Sequence, residues 1–440
     1  MTLPPPSAPG DPVVPLISRR RLLIGSAGSL VAVAGGIAVV STSRTPPSAD
    51  LSTATVGTVP VTGVPAAGVP ATTVPVTAVP VTTVPGAGVA SDRILVVLQL
   101  GGGNDALNTL VPVTGSYHDA RPSLALVDDE LVRLPFTEAY GLHPALAALG
   151  PLLADGQVGV VAGIGFDQPD RSHFKAFDMW WSAAPGETFR TGWLGRWLDA
   201  AGAGPPMRSI SLGGSVPALR ADVARSIAVN ELDQFALLDS DSAADLIDAW
   251  TGLGPDQADA RSAIETFAGL TLPADLGDAE PATERLLAAA QLIASDPQVR
   301  LVHVALTGFD THSNQRASHQ ALLADVASGI ARFQSAIEAS GHADRVLLIT
   351  TSEFGRRVVE NGSGGTDHGK AGVQFVIGRG VTTPSVFGAI DLADLADGDL
   401  RPVIDPRSLY ATALDWLDGE RASARTDAVL GASYERLPFL

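Results

Sequence analysis

The chain has 440 residues, 45% of them hydrophobic, enough to bury a sizeable core. It carries 29 Lys plus Arg against 47 Asp plus Glu, a formal net charge of −18. Such a surface repels nucleic acid and anionic lipid, and it would need local positive charge to hold an anionic substrate. The absence of cysteine excludes disulfides, thiolate metal ligands and cysteine nucleophiles.

Residues 1–45 read as an address. Ser18-Arg19-Arg20-Arg21-Leu22-Leu23 precedes an apolar, Gly/Ala-rich run from Ile24 to Val40, the layout of a twin-arginine export signal. The run is short and glycine-rich beside the roughly 20 strongly apolar residues of a membrane span. Ala32-Val33-Ala34 has the composition of a cleavage site but lies inside the apolar run, so cleavage and retention as an anchor both stand. An uncleaved signal is the single membrane contact expected. From Val59 to Pro85 the pair Val-Pro recurs every five residues, with no charge between. Proline removes a donor and fixes φ at this period, so residues 46–91 read as an extended linker. The expected partner of the signal is the twin-arginine machinery, and the expected location is extracytoplasmic, in the cell envelope or secreted. That route carries folded proteins, which suits one that acquires a metal before export.

Residues 92–440 read as one α/β domain. Apolar, β-branched runs at Arg93–Gln99, Val158–Ala162, Ser209–Leu212, Leu301–Leu306, Arg345–Thr351 and Val373–Ile377 predict strands buried on both faces. Helical periodicity covers Pro144–Ala154, Ala243–Leu253, Glu284–Ser295, His319–Ser340 and Ser408–Leu417. Their alternation predicts a mostly parallel sheet between two helical layers, with ligands beyond the carboxyl ends of the strands.

Polar signals follow successive strands. Gly101-Gly102-Gly103-Asn104-Asp105 lets the backbone turn sharply and presents Asp105, either as a ligand or as a helix cap. Asp170-Arg171-Ser172-His173 offers Ser172 as a nucleophile with charged neighbours, or as an N-cap. Asp310 and His312, two apart on a loop, can share one divalent ion. His303, inside its strand, reads as a core histidine, and His319 and His342 as surface or loop residues. Glu353 is the first acid past an apolar strand and must be paired, coordinated or hydrated. A glycine-rich loop delivers Asp367-His368 as a further ligand pair.

Gly-Gly-Asn-Asp-Ala-Leu-Asn, Ser-His-Phe, Phe-Asp-Thr-His, Ser-Glu-Phe-Gly-Arg and Gly-Thr-Asp-His-Gly, in this order between Asp92 and Leu417, resemble the bacterial family called domain of unknown function 1501. That family is similar in turn to the alkaline phosphatase and sulfatase superfamily. The resemblance implies a three-layer α/β/α sandwich with one or two divalent ions held by Asp and His at the strand ends. It implies Asp105, Asp310, His312, Glu353 and His368 as metal-binding residues, beside which the loop reading sets Asp367, with Ser172 on the nucleophile turn. Phe354 stands where a metal-binding His is usual, which implies one depleted metal position.

The leading expectation is an exported, metal-dependent hydrolase of phosphate or sulfate esters, small or glycan-borne, using Zn, Mn, Mg or Ca. Ser172 or a water attacks, and Arg171, His173 and Arg356 support the charge. The alternative is a non-catalytic envelope-binding or scaffold protein on a degenerate hydrolase fold, with Trp180, Trp181, Trp193 and Trp197 stacking on sugars. A metal-free Ser-His-Asp esterase lacks the Gly-x-Ser-x-Gly elbow around Ser172.

Overall fold

Strand β1 (Ile94–Leu100) is buried along its whole length, so each of its two faces must be covered. Its side chains part accordingly. Ile94, Val96, Leu98 and Leu100 enter one hydrophobic cluster, and Leu95 and Val97 the other. In the computed structural model the described residues are 29–34, 37–42, 91–184, 190–214, 216–230, 232, 263, 265–267, 269–272, 280–419 and 423–440. The expected helix at 243–253, the arginines of the signal and nearly all of the linker lie outside them.

The remaining principal strands are β2 (Val158–Ile164), β3 (Ser209–Leu212), β4 (Ser226–Val229), β5 (Leu301–Leu306), β6 (Val346–Thr351), β7 (Gly372–Ile377) and β8 (Val386–Gly388). They lie in the order β4-β3-β5-β1-β6-β7-β2-β8. All pair in parallel except β7, which is antiparallel to β6 and to β2. The link from β6 to β7 contains no crossover helix, and a return without a crossover gives an antiparallel neighbour. Within the segment read as the signal, Ser29–Ala34 and Ile37–Thr42 pair with each other and continue the sheet beyond β4, also antiparallel.

Helices α1 (His173–Ser182), α2 (Trp193–Ala200), α3 (Pro281–Ser295), α4 (Gln315–Ala339), α5 (Pro406–Asp418) and α6 (Ser423–Leu430) complete the principal elements. From α3 and α4, Leu286, Ile293, Leu323, Ile330 and Phe333 pack with the Ile94 cluster. From α2 and α5, Trp193, Trp197, Leu409, Tyr410 and Leu414 pack with the Leu95 cluster. The sheet is therefore the middle layer of an α/β/α sandwich, as expected. No described helix is long and apolar enough to cross a membrane.

Trp180, Trp193 and Trp197 are buried, so they belong to the core rather than to a sugar-stacking surface. Trp193 lies parallel to Tyr410 with ring centroids 4.2 Å apart, joining α2 to α5. Trp193→Ala is expected to lower stability by about 3–5 kcal/mol. Denaturant unfolding should show a lower midpoint at unchanged slope.

Candidate metal centre

The ends of β5, β1 and β6 lie side by side, with Leu306 opposite Leu100 and Thr351 opposite Gln99. Three loops thus leave one edge of the sheet together. They approach so closely that side chains do not fit between them. Gly102 and Gly103 take φ of +124° and +80°. A Cβ on Gly102 would overlap the Phe309–Asp310 backbone, and one on Gly103 the Phe354 ring. The glycines therefore admit the neighbouring loops as well as turning the chain.

Arg356 fastens these loops. Its buried guanidinium donates to the carbonyls of Gly103 at 2.7 Å, Thr366 at 2.8 Å and Phe309 at 2.8 Å, and also to that of Gly102. It bonds Asp310 Oδ1 at 2.7 Å. Burial opposes the Asp310 charge, but Arg356, His368 and His312 outweigh it and hold the carboxyl at about 2.

Around Asp310 Oδ1 the histidines converge. His368 Nε2 lies 2.9 Å from it and His312 Nε2 3.0 Å from it, and the two ring nitrogens are 2.9 Å apart. The far nitrogens are directed by acceptors. His368 Nδ1 stands 2.8 Å from the Arg171 carbonyl, and His312 Nδ1 3.3 Å from Asp367 Oδ1. A neutral ring that donates from Nδ1 to its outer acceptor turns the Nε2 lone pair inward. Three acceptors facing one another at this range repel unless a cation or proton lies between them. Outward-bonded Nδ1 is also how metal-binding imidazoles are usually held. The donor set fits a divalent ion.

His173, the first residue of α1, adjoins this group, its ring centroid 4.4 Å from that of His368. Its Nε2 is 3.5 Å from Asp310 Oδ2 and its Nδ1 2.8 Å from Glu353 Oε1. The Glu353 hydrogen bond raises the imidazole pKa above its ordinary value. The ligand atoms of His173, Asp310 and His368 all lie within 4.8 Å of one another. Phe354 packs on both the His173 and His368 rings, with centroids 5.0 and 4.6 Å away. Ser172 N-caps α1 without a side-chain cap bond and is exposed, one residue from His173.

Other expected residues take different places. Asp105 is engaged away from the Asp310 group. Arg121 holds its oxygens at 2.7 and 3.1 Å, Gln315 donates to it, and it caps Leu107 N at 3.2 Å. Asp367 stands behind His312 rather than beside the inward nitrogens, and it also accepts from Asn361 at 3.1 Å. Arg356 is sealed among carbonyls and has no face for a substrate. The Arg171 side chain is exposed but pairs with buried Asp399, which Arg357 also meets at 3.2 Å. Glu353 reaches the cluster through His173. His319 is buried, not on a surface. Its Nε2 is 2.8 Å from Asn104 Oδ1, and burial pushes its imidazole down to about 4.

Arg121, Gln315 and the Arg171 carbonyl were not anticipated. Arg121 sits in an ordinary loop, and backbone carbonyls leave no trace in sequence. Gln315 opens α4 and joins Asp105 to Thr311 at 3.1 Å and Thr366 at 2.6 Å.

The buried Arg121–Asp105 pair has a testable cost. Burial works against the Asp105 charge, yet Arg121, with His319 and Arg356 behind it, holds the carboxyl below its ordinary 3.8. The resulting stability is complete above pH 3.8, the unfolded value, and is lost as pH falls through the lower native pKa. Arg121→Met should cost about 3–5 kcal/mol by stranding a buried carboxylate, and it should move acid unfolding to higher pH. Asp105→Asn combined with Arg121→Met should recover most of the loss in urea titrations.

Among curated proteins, none matches the chain. Among solved structures, the lipoteichoic acid synthase of Listeria monocytogenes is 8% identical, covering 79% of this chain and 79% of its own, with a TM-score of 0.37. A sulfatase from Pseudoalteromonas sp. is 11% identical, covering 79% and 70%, with a TM-score of 0.36. A phosphonate monoester hydrolase from Silicibacter pomeroyi is 13% identical, covering 78% and 77%, with a TM-score of 0.33. A family model described as a protein of unknown function, DUF1501, matches residues 186–423, beginning downstream of the Gly101–Asn108 and Ser172–Phe174 motifs. That match spans more than half of the sequence, and the chain belongs to the DUF1501 family.

Proposed function

We propose that this chain is a hydrolase of phosphate or sulfate esters that works with a single divalent ion. One observation carries the reading. Asp310 Oδ1, His312 Nε2 and His368 Nε2 stand 2.9–3.0 Å from one another, with each imidazole directed by an acceptor on its outer nitrogen. These three residues would hold the ion, with His173 at the open side. An imidazole-rich set with one carboxylate favours Zn2+ or Mn2+ over Mg2+ and Ca2+, which prefer oxygen. Such an ion supplies Lewis acidity toward the oxygens of the transferring group.

The remaining roles fall to the chain itself. Arg356 keeps Asp310 ionised. The Ser172 hydroxyl, uncommitted at the N-cap of α1, is the nucleophile, and the positive end of that helix attracts the anionic ester. On a molecule with a net charge of −18, the bound ion together with this helix end would supply the local positive charge such a substrate needs. Residues 1–45 would act as a twin-arginine signal and 46–91 as the tether of an extracytoplasmic domain, so that the ion is loaded before export.

Elemental analysis of the folded, exported protein should find about one Zn or Mn per chain. Asp310→Asn and His368→Ala should each lose it, with a drop in affinity beyond the roughly 10–100-fold typical of outer-shell changes. Ser172→Ala should keep the ion and lose turnover of aryl phosphates and sulfates. A metal-free wild-type protein would remove the hydrolase reading and leave a non-catalytic binding role. Turnover retained in Ser172→Ala would make a water the nucleophile.

A further inference from the structure

We propose that Glu353 is a positioning residue, whose carboxylate fixes the tautomer and direction of His173 so that its Nε2 serves as a further ligand of the ion. The inference rests on the metal-centre reading above. Glu353 follows β6 and is buried. Its Oε1 accepts from the Gly102 N–H at 2.8 Å and stands 2.8 Å from His173 Nδ1. A carboxylate oxygen only accepts, so a neutral His173 carries its proton on Nδ1 and turns the Nε2 lone pair toward Asp310 and His368. The Gly102 bond keeps Oε1 from following the imidazole, so the carboxylate sets the ring rather than the reverse.

Glu353 itself stays out of the donor cluster. Its Oε1 is engaged by the Gly102 N–H and His173 Nδ1, whereas the atoms that converge on Asp310 are those of His312, His368 and His173. Oε2 is buried without a partner, and Glu353 lines a small cavity with Gln99, Trp181, His303 and Thr351. A buried, unpartnered carboxylate oxygen is costly, and the Gly102 bond alone would be served equally by an amide. What an amide does not supply is an acceptor-only group beside Nδ1. His173 also adjoins Ser172, so orienting this ring ties the proposed nucleophile turn to the centre.

The test uses the full chain, stripped by a chelator and titrated with Zn2+ by calorimetry, as wild type, Glu353→Gln, His173→Ala and the double variant. Glu353→Gln should melt near wild type and bind Zn2+ about 10–100-fold more weakly. In the His173→Ala background the same change should have no further effect. Nitrogen NMR of alkaline, metal-free protein should show His173 protonated on Nδ1 in wild type and shifted toward Nε2 in Glu353→Gln. Unchanged affinity and tautomer would overturn the proposal. So would an equal loss with and without His173, which would make Glu353 a ligand in its own right. If wild type takes up no Zn2+, the metal-centre reading fails, and the tautomer comparison still decides whether Glu353 orients His173. Should Glu353→Gln not fold, Glu353→Asp, with its shorter reach, should show the same His173-dependent loss.

Discussion

The buried Arg356 guanidinium is the constraint on which the site depends. A permanently charged group inside a protein must have its donors met. Here they are met by carbonyls of Gly102, Gly103, Phe309 and Thr366 and by the Asp310 carboxylate. Those partners belong to the loop after β1, the loop after β5 and the loop before β7, while Arg356 itself follows β6. One side chain thus ties together the loops after β1, β5 and β6 and places Asp310 among the histidines. Because four of its five partners are neutral carbonyls, the positive charge is spent on one acid, which explains why Asp310 is held so strongly ionised.

Arg121 performs the corresponding task on the other side of the β1 loop. It satisfies Asp105 and reaches the carbonyls of Val358 at 2.5 Å and Arg357 at 2.7 Å. Two buried arginines therefore stand behind two aspartates, with different outcomes. Asp105 is enclosed on every side, whereas Asp310 keeps part of its surface open and faces imidazole nitrogens. Gln315 connects the two regions through Asp105, Thr311 and Thr366. The polar network is continuous, and its Asp310 end is the one where a carboxylate oxygen and imidazole nitrogens converge.

The sandwich was legible because its strands are apolar on both faces. All six expected strands differ by no more than two residues at either end from those observed, and Ser209–Leu212 and Leu301–Leu306 coincide. Of the helical expectations, that for His319–Ser340 missed the first turn of α4, where Gln315 replaces an apolar marker, and the Trp193 helix was not foreseen. Asp310, His312, His173 and His368 were legible as residues with the right chemistry after successive strands. What sequence did not carry was who faces whom. Asp105 and Asp310 are alike as loop acids, and their fates diverge only because Arg121, remote in pattern, folds against one of them. Asp367 and His368 are neighbours in the chain, yet adjacent residues point apart, so one faces the cluster and the other stands behind His312.

Phe354 shows how composition and geometry trade places. A phenylalanine immediately after Glu353 suggests a lost ligand when the chain is read linearly. In space its ring packs against both His173 and His368, whose own centroids are 4.4 Å apart, and occupies the volume over Gly103. The His173 imidazole is brought in on α1, and the apolar ring packed against the two histidines limits how far either can turn. Rigid packing of this kind keeps donors in place when no partner draws them together. An aromatic wedge, an arginine clamp and acceptors on the outer nitrogens all restrain the same few atoms. Their agreement separates this cluster from an ordinary acidic and histidine-rich surface, where each side chain would be free to turn toward water.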